Sequence, residues 1–217
     1  MHKSFFVAAS LTFASPFAGA AVDGYSQPPK EILEVMHAPS IPSPRMSPTM
    51  DRMILVQMQE YPSIERVAEP FLRLAGVRVE PRNHSKHDTQ GGYGIPACAR
   101  SFTLVKVADG KETKIDISKL ARADSPRWSA DGKNFYFRNR AKDAVELWIG
   151  NAQTAKIFKV PGVKLNQMFG TEVQWMPNQT QLLVKLVPKN LGKAPAVAEA
   201  LTGPSIQEAA GQKGQSS

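Results

Sequence analysis

The chain contains one cysteine, Cys98, among 217 residues. No internal disulfide is available, so packing alone must hold the fold. Nowhere are two Lys or Arg residues adjacent. That absence excludes a polybasic arm for nucleic acid, although 27 basic against 19 acidic residues give a formal net charge of +8. The positive charge is dispersed and biases the surface toward acidic ligands or anionic envelope components. Beyond the N-terminus no apolar run reaches the ~20 residues of a membrane-spanning helix. Tryptophan is scarce, with three in the chain, so the spacing of Trp128, Trp148 and Trp175 carries information.

What is present favours a turn-rich β protein. The hydrophobic fraction of 42% permits a packed core, and 17 Pro with 15 Gly speak against a helical bundle. The N-terminus reads as a targeting segment. His2-Lys3 is weakly basic, Phe5 to Ala18 is largely apolar, and small residues occupy Ala18, Ala20 and Ala21. This predicts a signal peptide over residues 1–21, cleaved after Ala20 or Ala21, and hence a periplasmic or secreted protein.

The informative stretch is Trp128-Ser129-Ala130-Asp131-Gly132-Lys133, followed by Phe135-Tyr136-Phe137. It reads as strand, Asp-Gly turn and strand, because Gly accepts positive φ and Asp bonds its own backbone. Imperfect copies begin at Met46 and Trp175. Trp128 and Trp175 are one period of roughly 40–50 residues apart, and Met46 to Trp128 reads as nearly two, the signature of propeller blades. The expected fold is all-β: a partial β-propeller of about two to three four-stranded blades over residues 22–188, with short helical insertions.

Along the chain, Lys30 to Ala38 has helical spacing after Pro29. Met53 to Met58 is the first clear strand. Tyr61 to Gly76 reads as a helical insertion capped by Ser63, with Ile64, Val67 and Ala68 on one face and Pro70 interrupting the helix. Val77 to Val79 is a strand, and Asn83 to Ile95 a polar, mobile loop. Phe102 to Val107 and Thr113 to Ile117 pair across the Ala108–Lys111 turn, and hairpins and strands follow at Trp128–Phe137, Glu146–Ile149, Ala155–Val160, Val173–Trp175 and Gln181–Val187, about nine strands in all. Residues 189–217, rich in Gly, Ala, Pro, Gln and Ser, read as a disordered tail.

Chemistry-bearing constellations are few. His84 and His87 with Asp88 are too few for a metal set and read as a solvated loop. Cys98 has no neighbouring His and reads as a structural thiol. Trp128 and Trp175 occupy equivalent repeat positions and read as packing between blades. The pairs Glu31-Glu34 and Asp143-Glu146 lack an apolar pocket to split their pKa values. Gly91-Gly92-Tyr93-Gly94 lacks the Lys-Ser/Thr of a phosphate loop. No catalytic, cofactor-binding or metal residue is assigned, and no cofactor is expected.

Several segments resemble a known family. Tyr25-Ser26-Gln27-Pro28-Pro29-Lys30-Glu31-Ile32, Ala38-Pro39-Ser40-Ile41-Pro42 and Ser47-Pro48 are similar to the start of mature prolyl oligopeptidase-family serine peptidases. Leu74-Ala75-Gly76-Val77-Arg78-Val79 and Gly203-Pro204-Ser205-Ile206-Gln207-Glu208 resemble its glutamyl endopeptidase-like branch. The resemblance implies a propeller followed by an α/β-hydrolase domain, with a Ser-Asp-His triad and a Gly-x-Ser-x-Gly elbow. The nearest approaches, Gly24 to Pro28 and Gly203 to Gln207, lack the final Gly. The resemblance therefore implies a non-catalytic N-terminal propeller portion that gates peptide access to a hydrolase domain not contained in these residues. Its implied partners are that separate domain or a second copy of the chain, and peptides as family substrates. The alternative reading is a stand-alone exported propeller-like binding or scaffold protein.

Overall fold

A computed structural model describes residues 27–192, except 60, 75, 90–93 and 169. The expected signal peptide and the tail beyond residue 192 lie outside the described residues. The chain divides into two compact units between Pro39 and Ser40. The first carries α1 (Lys30–Met36). The Pro29 carbonyl starts this helix by accepting from the Ile32 and Leu33 amides at 3.0 and 3.1 Å. None of its residues is buried.

The second unit is mostly β, in small antiparallel sheets, as the repeat spacing predicts. In chain order its elements begin with β1 (Ser43–Met46) and β2 (Arg52–Met58). Then come α2 (Ile64–Ala68), β3 (Leu72–Leu74) and β4 (Val77–Val79). The chain returns through β5 (Ala99–Lys106) and β6 (Glu112–Ile115), so the first sheet runs β1-β2-β5-β6. A second meander follows in β7 (Arg127–Trp128), β8 (Asn134–Arg140), β9 (Val145–Asn151) and β10 (Ile157–Lys159). A hairpin of β11 (Val173–Trp175) and β12 (Leu182–Val184) comes last.

The repeat is visible in backbone geometry. The amides of Ser47, Ser129 and Met176 donate to the carbonyls of Arg52, Asn134 and Gln181 at 2.9, 2.8 and 2.9 Å. The fourth turn residue then folds back: the amides of Met50, Gly132 and Gln179 donate to the carbonyls of Ser47, Ser129 and Met176 at 3.0, 3.0 and 2.9 Å. All three have left-handed φ, at 60°, 68° and 58°. Only the middle copy uses Gly, the residue that adopts this region without steric cost. The hairpins β5–β6 and β9–β10 repeat too, with Lys106 N–H bonded to Lys111 O and Asn151 N–H to Lys156 O, both at 3.0 Å.

This corrects the reading of the long Met46–Trp128 separation. It is one repeat interrupted by an insertion, residues 59–98, between β2 and β5; it is not two repeats. The insertion agrees with expectation at Pro70 and differs beyond it. Its helix stops at Ala68, because Glu69 precedes Pro70 and is held extended at φ −58°, ψ 132°. Leu72 to Leu74, expected to be helical, pairs with Val77 to Val79 as a hairpin. With β1, which Pro44 and the prolines beside it concealed, the described residues hold twelve strands instead of about nine.

The core lies on both faces of β8. Phe135 and Phe137 join Ile54, Val56, Phe102, Leu104 and Ile115 of the first sheet in one cluster. Tyr136 points the other way, to Val145, Leu147, Leu165 and Val173. Phe135, Tyr136 and Phe137 are all at most 6% exposed. Trp128, half-buried, meets Phe135 edge-on at 5.7 Å, and its Nε1–H donates to the Arg45 carbonyl at 2.8 Å, tying the second sheet to the first. Trp175 packs on Tyr136 at 6.1 Å. Both therefore serve packing, as their repeat positions suggest.

Candidate functional site

The insertion builds a cleft of about 520 Å³ against the second sheet. Ser63 Oγ caps α2 by accepting from the Arg66 amide at 3.2 Å. The expected apolar face, Ile64 and Val67, is exposed, and the residue turned inward is Arg66. The reason is electrostatic. Glu80, just past β4 and 5% exposed, receives the guanidinium groups of both Arg66 and Arg122. Glu69 receives the same two. Two carboxylates and two guanidinia thus neutralise one another, Glu80 out of water and Glu69 partly exposed, the condition under which buried charge is tolerated.

Asn83 locks this network to the second sheet. Its Nδ2 donates to the Ala141 carbonyl at 2.9 Å, and its Oδ1 accepts from the Ser85 amide at 2.9 Å. The segment expected to be a solvated loop is in this part an interior one, since Asn83, Ser85 and His87 are all at most 4% exposed. Polarity misled the reading because the Asn83 and His87 side chains are buried with partners. Residues 90–93, with the Gly91-Gly92 pair, lie outside the described residues. His84 and His87 part company: His87 stacks on Phe71 at 4.5 Å beside Glu80, while His84 turns away at φ 59°. Among the described residues no group of three His, Cys, Asp or Glu converges as a metal set would require.

Burial first, and the Arg66 guanidinium next, push His87 below the ordinary imidazole range, against Glu80, Asp88 and Glu69. A His depressed in the folded state binds protons more readily when unfolded. Its stability contribution is therefore full above the unfolded pKa of about 6.5 and drains as pH falls through that value. Glu69 acts lower. Arg122 and Arg66 outweigh its burial and hold it below the ordinary carboxylate range, so its contribution is lost only in more acid solution. Urea unfolding from about pH 7 to about pH 5.5 should show falling stability, and His87→Phe should flatten that slope. An unchanged slope in the variant would assign the acid sensitivity elsewhere.

Cys98 lines the cleft, half-buried, and its thiol donates to Gln59 Oε1 at 3.0 Å. Glu146 is engaged by Asn139, Trp148 and Lys159, and Glu34 pairs with exposed Lys30. The cleft residues Arg66, Glu69, Glu80, Arg122 and Arg140 were not singled out from sequence. Val77–Val79, within the segment that carries the resemblance, is the strand that delivers Glu80.

No family model matches the chain. Two curated relatives do. "Probable glutamyl endopeptidase, chloroplastic" of Oryza sativa subsp. japonica is 31% identical over 201 residues, covering 87% of this chain and 21% of the relative. The Arabidopsis thaliana protein of the same name is 28% identical over 209 residues, covering 91% and 21%. The chain is related to peptidases. It spans about a fifth of the length of these relatives. A solved structure described as a dipeptidyl aminopeptidase IV from Bacteroides ovatus shares 15% identity over 62% of this chain and 19% of its own, with a TM-score of 0.33. Among the described residues no helix is long and apolar enough to cross a membrane.

Proposed function

We propose that this chain is the non-catalytic β-propeller portion of an exported peptidase of the glutamyl endopeptidase type. It screens peptide access to an α/β-hydrolase domain encoded outside these 217 residues. The observation that carries the reading is the stacking of the repeated turns. Thr49 of the first turn lies where a Cβ on Gly132 of the second would fall, 2.3 Å from Thr49 Oγ1. The Ala130 amide of the second turn donates to Gln179 Oε1 of the third at 2.6 Å. Equivalent turns side by side, each ending an antiparallel sheet, are how successive blades of a propeller are arranged. Similarity to named endopeptidases across most of this chain, but only a fifth of theirs, supports assigning it to one part of such an enzyme.

The coding region past Ser217 tests this directly. A reading frame carrying Gly-x-Ser-x-Gly between an apolar strand and a helix is expected there, or in an adjacent gene. The purified 217-residue chain should leave peptides intact and take no fluorophosphonate label. Stoichiometric labelling of any serine would overturn the non-catalytic assignment. Export is proposed from residues 1–21, and the secreted protein should begin at Ala21 or Val22. N-terminal sequencing that finds Met1 on the exported material would reject it.

A second reading, a binding protein that self-associates, draws on the last hairpin. It has two strands, and Leu183 on it is 62% exposed. Light scattering on the pure chain separates a concentration-dependent oligomer from a monomer.

A further inference from the structure

One buried charge in the cleft stands apart from the network. Arg140, at the end of β8, is 7% exposed. Arg66, Arg122 and Arg138 each hold two carboxylates. Among the described residues Arg140 forms no ion pair. The one hydrogen bond of its guanidinium runs from Nη2 to the Ala97 carbonyl at 3.2 Å. Burial pushes its guanidinium down; Asp124 opposes, and Arg138, Arg122 and Arg66 add to the depression. A buried guanidinium facing other guanidinia is a standing cost unless an anion arrives.

The surroundings suit such an anion. Around the cleft stand five cationic side chains, including exposed Arg82 and Lys142, against three carboxylates. Glu69 and Glu80 are already spent on Arg66 and Arg122, so positive charge remains over the opening. Low-dielectric walls from Ile95, Pro96 and Pro81 would strengthen an ionic contact and receive a methylene stem. Arg140 is also pre-positioned. Its backbone amide bonds the Arg122 carbonyl at 3.0 Å, and Ala97 holds its side chain, so little order is lost on binding. A planar guanidinium with free N–H groups matches a carboxylate bidentately.

We propose that the cleft between the insertion and β8 is a binding site for a peptide carboxylate, with Arg140 as the group that receives it. The ligand class, a peptide, rests on the peptidase reading; the anion rests on Arg140 alone. The carboxylate is either an acidic side chain or a chain terminus.

Calorimetric titration of the 217-residue chain tests it with four probes. N-acetyl-glutamic acid α-amide offers only a side-chain carboxylate, and N-acetyl-alanine only a terminal one. N-acetyl-glutaminamide is the neutral match, and inorganic phosphate a non-carboxylate anion. One or both carboxylate probes should bind and raise the unfolding temperature, and the glutaminamide should bind at least about tenfold more weakly. Arg140→Lys should weaken the preferred probe by about tenfold or more, because it keeps the charge and loses the fork. Lys142→Ala should change it less than about threefold, as a screened surface charge. Equal binding of the glutaminamide overturns the proposal, as does phosphate binding as tightly as carboxylate, or no binding at millimolar concentration. If Arg140→Lys does not fold, the four-probe comparison on the unaltered chain still decides. The titration needs no hydrolase domain, so failure here and failure of the peptidase reading are separate results.

Discussion

Glu80→Ala is expected to destabilise the chain by about 3–5 kcal/mol, the cost of removing one member of a buried ion network. Glu80 accepts from Arg66 and from Arg122 Nη2 (3.2 Å), takes Asn83 Nδ2 at 3.3 Å, and faces His87 Nδ1 at 3.6 Å. Its loss leaves two guanidinia sharing Glu69, which is the more exposed carboxylate. A chain of this size has a total stability of about 5–15 kcal/mol, so the effect is a large fraction of the whole. Urea unfolding measures it. Glu80→Gln separates charge from hydrogen bonding: it can keep part of the bonds to Asn83 and the arginines but not the charge. A Gln variant as stable as the unaltered chain would mean that the network contributes by shape and hydrogen bonding, with its charge immaterial. A change under about 1 kcal/mol for Glu80→Ala would place the carboxylate effectively in water.

Gly150→Ala should also be severe, for a different reason. Gly150 lies opposite Phe135 in the β8–β9 ladder. A Cβ there would fall 2.0 Å from Phe135 Cζ and 2.3 Å from its Cε2. The ring is fully buried, with Phe137 stacked at 6.5 Å and Trp128 edge-on, so it has nowhere to swing. Overpacking of this kind costs about 1–3 kcal/mol, and more where the ring cannot yield. The double variant Gly150→Ala/Phe135→Leu supplies the check. Removing the ring relieves the clash, so the double variant should lose less than the sum of the single losses, by at least about 0.5 kcal/mol. Strict additivity would show that the alanine is accommodated by backbone movement away from Phe135.

These two positions mark what can be read along a chain and what cannot. The turns at Ser47, Ser129 and Met176 were legible, because a tight turn is a local object. Its residues must supply a left-handed φ and a side-chain acceptor within a few positions, and Asp131-Gly132 does both. The alternation of Phe135, Tyr136 and Phe137 was legible as a strand for the same reason. Which faces were covered was not, since a strand's pattern says which side chains share a face and is silent on what lies above it. The length of the first repeat was misread because period alone cannot distinguish two repeats from one repeat with an insertion; pairing of β2 with β5 settles it.

By itself the sequence determined a cysteine-poor, turn-rich β chain with a roughly 45-residue repeat, its packing tryptophans, and a likeness to one peptidase branch. Tertiary structure decided the rest. Arg66, Glu69, Glu80, Arg122 and Arg140 come from a short helix, the residues flanking a hairpin, an inter-sheet connection and a strand end. Each alone resembles an ordinary solvated charge. Only burial raises the energy of an unpaired guanidinium enough to distinguish Arg140, satisfied by one carbonyl, from Arg66 and Arg122, satisfied by carboxylates. Burial is a property of the packed chain and has no counterpart in the order of its residues.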